Sequence, residues 1–459
     1  MWVAIGTALF SFLVGGAATW SGLLHNRRRL QTWREAVAAC GLELVEISSY
    51  RALRIGLKAR AGPLEVRIQD SRRKDYSAYA VVVFPGPPGF SGVRLRPEED
   101  RPLRRAREIE IGDPSFDDAF FVEGPMRLLC ALLDEPARRL LVSANAESRL
   151  EIVSGEIRAE MKEPASEILP LLVDVGRRFA QPMDAPRRLA ENARWDPQPG
   201  VRLKNLLLLA RELPGDPLTV EVLRAACSDE SPEIRLRAAR ELGAAGRDVL
   251  LELAEGAVSD ALSAQAVSSL RGELPFERAR AILIHSLRRR RLRTARACLE
   301  SLGRGGAEAV DTLAKVVMRE KGELAVAAAQ ALGSTGSPGA EPPLILALRR
   351  EPQDLQAAAA NALGRVGSAA AVLPLKELAE RSPRDPEILR ATRQAIAGIQ
   401  SRLPGASPGQ LSLAGDEVGQ LSLAQAEAGQ LSLANDPAGQ LSLPSAEPGQ
   451  LSLGDDKES

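Results

Sequence analysis

Three carboxylates fall close together at Asp113, Asp117 and Asp118. Carboxylate oxygens are the ligands that Mg²⁺ and Ca²⁺ prefer, so this is the first place to look for metal chemistry. The spacing matches neither an EF-hand loop nor a two-metal site. A plainer reading accounts for it: Asp113-Pro114 turns the chain and Asp117 caps the turn. We expect the plainer reading and assign no metal site. His25 and His285 are the only histidines, which argues against a histidine-based metal site or a His-dependent triad. Cys40, Cys130, Cys227 and Cys298 are scattered, with no CxxC spacing. They read as reduced, buried thiols in apolar helices, suited to a reducing compartment. No residue is assigned to catalysis or to a cofactor.

Basic side chains crowd one place. Arg288, Arg289, Arg290 and Arg291 are consecutive, with Arg293 and Arg296 just beyond. One reading is a solvated corner between helices. Another is an anion site for an acidic protein segment, the chain's own tail included. Nucleic acid is the least expected ligand, because its grooves usually add aromatics for stacking and none lies nearby. Arg288–Arg291 are therefore candidate protein-partner residues.

The whole chain balances, with 60 basic and 60 acidic side chains, but its parts do not. After Leu403 stand Asp416, Glu417, Glu427, Asp436, Glu447, Asp455, Asp456 and Glu458 against the single basic Lys457. That leaves 59 basic and 52 acidic residues in 1–403, a mildly basic body joined to an acidic tail. A length of 459 residues exceeds one core and suits two or three domains. Aromatics make up only 3%, and alanine and leucine carry the apolar content, which favours packed helices.

Residues 2–24 carry no charge and are long enough to span a bilayer as a helix. Trp2 and Trp20 would lie ~27 Å apart at helical rise, one at each interface. Arg27, Arg28 and Arg29 follow at once, and no basic residue precedes the segment. The positive-inside bias then places everything after it in the cytoplasm. The competing reading, a cleaved signal peptide, needs a positive n-region that is missing. We expect a single-pass anchor in the cytoplasmic membrane, with the membrane as one partner.

Residues 27–181 read as an α+β domain. After a helix over 27–40, the segments 42–47, 52–59, 64–69 and 78–84 alternate apolar and polar residues and predict antiparallel strands. Residues 107–112 and 120–124 predict two more. Residues 126–133 and 136–144 predict helices, 149–161 a hairpin about Gly155, and 166–180 an amphipathic helix closing the domain. The phrase at 112–124 resembles one found in uncharacterised bacterial membrane-anchored proteins, a likeness that brings no known chemistry.

From there the chain repeats itself. Leu242, Leu270, Leu302, Leu332, Leu363 and Ile396 each end an alanine-rich amphipathic segment, at separations of 28, 32, 30, 31 and 33 residues. Leu213 extends the series backwards. A period near 31 built from two short helical patterns marks an α-solenoid. In 231–246, Ser231 should cap, Pro232 should open the helix, and Ile234, Leu236, Ala238, Ala239 and Leu242 should form the buried stripe. Gly243 and Gly246 should stop it, and 248–258 should return. Residues 323–336 with 341–350, and 355–367 with 370–380, repeat the pattern. Residues 201–400 thus resemble the HEAT repeat family, in its short bacterial form related to the phycobilisome-lyase type. The resemblance implies a right-handed superhelix of helix pairs that binds proteins along its concave face. Some relatives are enzymes. The diiron hydroxylases of this fold need repeated His-Glu pairs, which this chain lacks. Nothing in the residues indicates a bilin of the kind chromophore lyases handle.

The tail, 405–459, holds GQLSL five times at a period of ten, with small, acidic, Pro-containing spacers. Such a composition predicts disorder. Five pentads suit a multivalent linear motif, and repeat slippage in a neutral linker explains them as well. The candidate contacts are Gln410, Leu411 and Leu413, with Leu421, Leu423, Leu431, Leu433, Leu441, Leu443, Leu451 and Leu453. QLSL also resembles the start of the bacterial sliding-clamp-binding motif. The aromatic fifth position of that motif is replaced by Ala414, Ala424, Ala434, Pro444 and Gly454, so its main anchor is missing.

The expected fold is mainly α: a HEAT-type α-solenoid preceded by a transmembrane helix and a small α+β domain, and followed by a disordered repeat tail. The expected function is a membrane-anchored cytoplasmic scaffold for protein–protein interactions, without catalysis. The alternatives are an enzyme or enzyme subunit acting through 27–181, and a sliding-clamp-type binder acting through the tail.

Overall fold

The computed structural model describes residues 27–50, 54–72, 78–86, 92–101, 108–162, 168–256, 258–270 and 272–402. The expected anchor at 2–24 and the tail with its pentads lie outside the described residues. Among the described residues no helix is long and apolar enough to cross a membrane. The chain divides into two compact units, with the boundary in sequence between Thr335 and Gly336.

The first unit begins with helical residues 27–39 (α1) and an antiparallel sheet. Its strands are β1 (Glu43–Tyr50), β2 (Arg54–Ala61), β3 (Leu64–Arg72), β4 (Ala78–Pro85), β5 (Arg94–Pro97), β6 (Phe120–Glu123), β7 (Arg149–Val153) and β8 (Glu156–Lys162). The order across the sheet is β1-β2-β3-β4-β8-β7-β5-β6. Period-2 alternation does the sorting. Leu57, Ala59, Val66, Ile68, Val82, Phe84, Ile157 and Ala159 are buried with Trp33 and Val37 of α1 and with Leu172, Val175 and Phe179 of α5 (Leu169–Phe179). The glycine at 176 lets α5 approach the sheet, since a Cβ there would lie 2.5 Å from Phe84 Cδ1. The expected hairpin turns through Ser154 and Gly155, both at positive φ.

One expected strand is absent. Residues 108–112 form no strand. The N–H groups of Ile111 and Gly112 donate to the Asp117 carboxylate at 2.7 and 2.8 Å, which takes them out of any ladder. The strand that pairs with β6 is instead β5, four residues long, which the alternation did not reveal.

Between strands run α2 (Pro114–Asp117), α3 (Met126–Leu132) and α4 (Glu135–Glu147). The helical array follows without a linker. Its first unit contains α6 (Ala185–Trp195), α7 (Pro199–Glu212), α8 (Pro217–Ala226), α9 (Pro232–Leu242), α10 (Arg247–Glu255), α11 (Asp260–Ser269), α12 (Phe276–Arg288), α13 (Leu292–Leu302), α14 (Val310–Arg319) and α15 (Glu323–Ser334). Successive helices pack against each other, and α7, α9, α11, α13 and α15 stack in sequence. The second unit holds α16 (Glu341–Ala347), α17 (Gln353–Val366), α18 (Val372–Arg381) and α19 (Pro386–Gln400), with α17 packed along α19.

The repeat pattern is seated as expected at Leu270, Leu302, Leu332 and Leu363, all buried. Leu213, Leu242 and Ile396 are only half-buried, and Ile399 takes the core position in α19. Ser231 precedes α9 but makes no side-chain cap; its own N–H donates to Asp229 at 2.8 Å. The glycine of the Leu-Gly phrase turns the chain at Gly243, which has φ +58° and open space around it, but serves packing at Gly303 and Gly364. A Cβ on Gly303 would lie 3.1 Å from Ala331 Cα, and one on Gly364 would lie 3.0 Å from Ala395 Cα. Those contacts hold neighbouring first helices at alanine-to-glycine distance. Gly364 sits inside α17, which runs on to Val366.

A charged relay joins the sheet domain to the array. Arg138 of α4 is 2% exposed; its Nε donates to Asp113 at 2.7 Å, and Nη1 and Nη2 donate to the two Asp196 oxygens at 2.9 Å each. Arg202 of α7 donates to the Asp196 carbonyl at 2.9 Å and forms a two-pronged pair with Asp229 at 2.8 Å. Close backbone contact accompanies it: a Cβ on Gly112 would meet the Gly200 carbonyl carbon at 2.6 Å. The helix α6 also packs on α3, where Asn192 donates to the Cys130 carbonyl at 2.9 Å.

Candidate functional site

Two of the three neighbouring aspartates, Asp113 and Asp117, hold the local chain in place. Asp113 caps α2 by accepting from Ser115 N–H at 3.2 Å and also holds Arg138. Asp117 ties down Ile111 and Gly112. Among the described residues no group of three or more His, Cys, Asp or Glu converges as a metal site would require. The four thiols are free; Cys130 and Cys298 are buried, while Cys40 and Cys227 are half-buried. Burial pushes the Cys130 and Cys298 thiols up to about 12, which keeps them protonated and weakly nucleophilic at neutral pH.

The arginine cluster sits where α12 ends and α13 begins, and its members divide by role. Arg291 folds inward. Its guanidinium donates to the carbonyls of Gly256 and Val258 at 3.0 and 2.7 Å and to Ser263 Oγ at 2.6 Å. It thus satisfies carbonyls at the C-terminal end of α10, where cations are favoured. Asp260 completes the corner by capping α13. Its carboxylate accepts from the N–H groups of Arg293 and Thr294 at 2.9 Å each and from Thr294 Oγ1 at 2.7 Å. Burial would raise the Asp260 pKa, but the Thr294 and Arg293 hydrogen bonds and the Arg291 charge outweigh it and hold the carboxyl below the usual range.

The other arginines face solvent. Arg288, Arg289, Arg290, Arg293 and Arg296 are exposed. Arg296 pairs with Glu300 at 3.2 Å. Arg290 stands at φ +57° in the α12–α13 connection, with its side chain exposed. Arg290, Arg293 and Arg296 line a groove of about 600 Å³, whose other wall is the α14–α15 turn: Arg319, Glu320, Lys321, Glu323 and the start of α15 at Leu324. Leu292, half exposed, forms its apolar floor. Five cations against two carboxylates make the groove electropositive. Of the four predicted partner residues, only Arg290 enters it.

Arg319 and Lys321 were missed, although a signal was present. Arg288 and Arg319 are one period of 31 residues apart, and so are Arg290 and Lys321. The same interval leads on to Arg350 and Arg381. Arg288, Arg319 and Arg381 each end the second helix of a pair, where a cation opposes the negative end of the helix dipole.

A family comparison adds to this geometry. Residues 311–397 match the family model of HEAT repeats. The array is therefore HEAT-like, in agreement with its repeat length and paired helices. No characterised sequence matches the chain significantly. Several solved structures are loosely similar. Human deoxyhypusine hydroxylase is 16% identical, over 47% of this chain and 96% of its own, at a TM-score of 0.22. The CpcE–CpcF phycocyanin lyase complex of Nostoc sp. is 21% identical over 47% and 96%, at 0.28. Importin beta is 14% identical over 62% of this chain and only 41% of its own, at 0.38. Such scores transfer neither site geometry nor activity.

Proposed function

We propose that this protein is a non-catalytic scaffold, held at the cytoplasmic face of the membrane by residues 2–24, whose HEAT-like array binds protein partners. The observation that carries the reading is the array itself. Stacked pairs bury their alanine-rich faces against each other and leave extended helix and turn surfaces for ligands. An electropositive groove on such a surface suits an acidic protein segment better than nucleic acid, since its lining contains no aromatic side chain. The pentads of the tail, through Leu411, Leu413 and their equivalents, supply a second, multivalent contact.

The test joins topology to binding. A reporter fused after Ser459 should be active only in the cytoplasm, and the chain should need detergent for extraction. In-cell crosslinking of the full chain should then capture a defined protein that is lost when Arg290, Arg293 and Lys321 become serine. Detergent-free recovery would overturn the anchor. Capture unaffected by the triple substitution would overturn the groove as the binding surface.

A further inference from the structure

Four cations in the groove, those of Arg290, Arg293, Arg319 and Lys321, have no ion-pair partner among the described residues. Held around one cavity of about 600 Å³, they repel one another. Glu320 and Glu323 line the cavity without forming an ion pair to any of them. Next to these charges lies exposed Leu292. The groove therefore fits a segment that alternates carboxylates with aliphatic side chains and has few cations of its own.

The chain contains such a segment. Its last residues repeat leucine pairs between spacers bearing Asp416, Glu417, Glu427, Asp436 and Glu447, and they carry a single lysine. We propose that the groove is the docking site of the chain's own acidic tail, residues 405–459, bound in cis.

Reach does not prevent this. The chain path from Leu324 to Arg402 is at most about 160 Å, taking about 1.5 Å per helical residue and about 3.4 Å per residue elsewhere. The tail, fully extended, covers about 190 Å. At that upper limit only Asp455, Asp456 and Glu458 reach the groove; any shorter separation brings Glu447 and then the earlier spacers within reach as well. Tethering makes the local supply of tail carboxylates independent of protein concentration, which favours even a weak electrostatic contact in cis. Five similar copies compete for one groove. Loss of any single spacer should therefore change little, and the array surface around the groove stays covered until an acidic partner displaces the tail. This inference needs neither the membrane anchor nor an external partner.

Lys321 makes the contact measurable. Carbodiimide coupling joins a lysine amine to a carboxylate in direct contact, and mass spectrometry of the full chain in detergent identifies the pair. The expected result is Lys321 coupled to one or more of Asp416, Glu417, Glu427, Asp436, Glu447, Asp455, Asp456 and Glu458. The yield should be unchanged on tenfold dilution. It should fall at least about fivefold near 1 M salt, where screening acts within about 3 Å. The variant Arg293→Ser/Arg319→Ser keeps Lys321 and alters two exposed side chains; it should lose coupling to a similar degree with an unchanged thermal melt. If that variant does not fold, added tail peptide (405–459) should suppress the coupling in the unaltered chain. Coupling of Lys321 to Glu320 or Glu323 alone would overturn the proposal. So would tail coupling that resists salt, or that vanishes on dilution and so comes from a second copy.

Discussion

Replacing Arg138 by methionine should weaken the whole first unit rather than the α+β domain alone. Arg138 is buried, and burial works against its charge; Asp196 and Asp113 outweigh that cost and hold its pKa above the ordinary value. Its substitution leaves Asp196, only 1% exposed, without its two strongest donors; only the Gln198 N–H at 3.0 Å remains on that carboxylate. Breaking a buried pair in this way typically costs about 3–5 kcal/mol, because an uncompensated charge stays behind. For a unit of about 300 residues, an unfolding entropy of about 2.1 cal/mol/K per residue makes each kcal/mol worth about 1.5 °C, which predicts a fall of roughly 5–8 °C. The assay is calorimetry of the full chain, with tryptophan fluorescence as a second probe. Because the relay runs from Asp113 through Asp196 and Arg202 to Asp229, sheet and first helices should melt together, before and after substitution. The double variant Arg138→Met/Asp196→Leu should recover part of the loss, since the fully buried carboxylate goes with its partner and only the less buried Asp113 is left without its ion pair. A fall below about 2 °C, or separate sheet and helix transitions in the unaltered chain, would refute the reasoning.

Two further outcomes are expected. Leu332→Asp and Leu363→Asp each place a carboxylate at a position with 0% exposure; each should cost upwards of about 4 kcal/mol and visibly reduce helicity, and an unchanged melt would contradict the repeat register. Acid should destabilise the array through Asp260 and Asp229, whose folded pKa values are both depressed. Their contribution is fully present above the ordinary carboxyl value near 4 and is lost as pH falls through the lower folded values. Asp260→Asn should thus lower the melting point at pH 7 and flatten its decline between about pH 4 and pH 2; a parallel decline would show that Asp260 is not the cap.

What the sequence disclosed follows from the range of the interactions involved. The hairpin at 149–161, the strands β2 to β4 and most helix starts depend on neighbours within a few residues, and they appear where alternation, glycine and proline placed them. So do the buried leucines, because a helix in a stacked array must repeat its apolar stripe. Residues 108–112 alternate like a strand, yet Asp117, a few positions away, takes two of their N–H groups. The period alone could not show that; the side chain of a turn residue competed with the sheet and won. The relay was invisible for another reason. Arg138 and Asp196 are separated by 58 residues, one inside the expected α+β domain and the other in the stretch between it and the expected solenoid, so only the folded chain sets them together.

The arginine run shows how the same limit falls on function. Four adjacent residues in sequence suggested one patch, but at a junction between helices neighbouring side chains point in different directions. Arg291 is consumed by carbonyls of the preceding pair, while Arg290, at positive φ, is exposed. The partners of Arg290 in the groove come from a turn one repeat later, at Arg319 and Lys321. In a repeat protein the residues that share a surface are those one period apart, not those side by side. An anion site here is therefore read along the 31-residue interval, and the charge that the groove gathers in this way is matched by the acidic tail that the same chain carries.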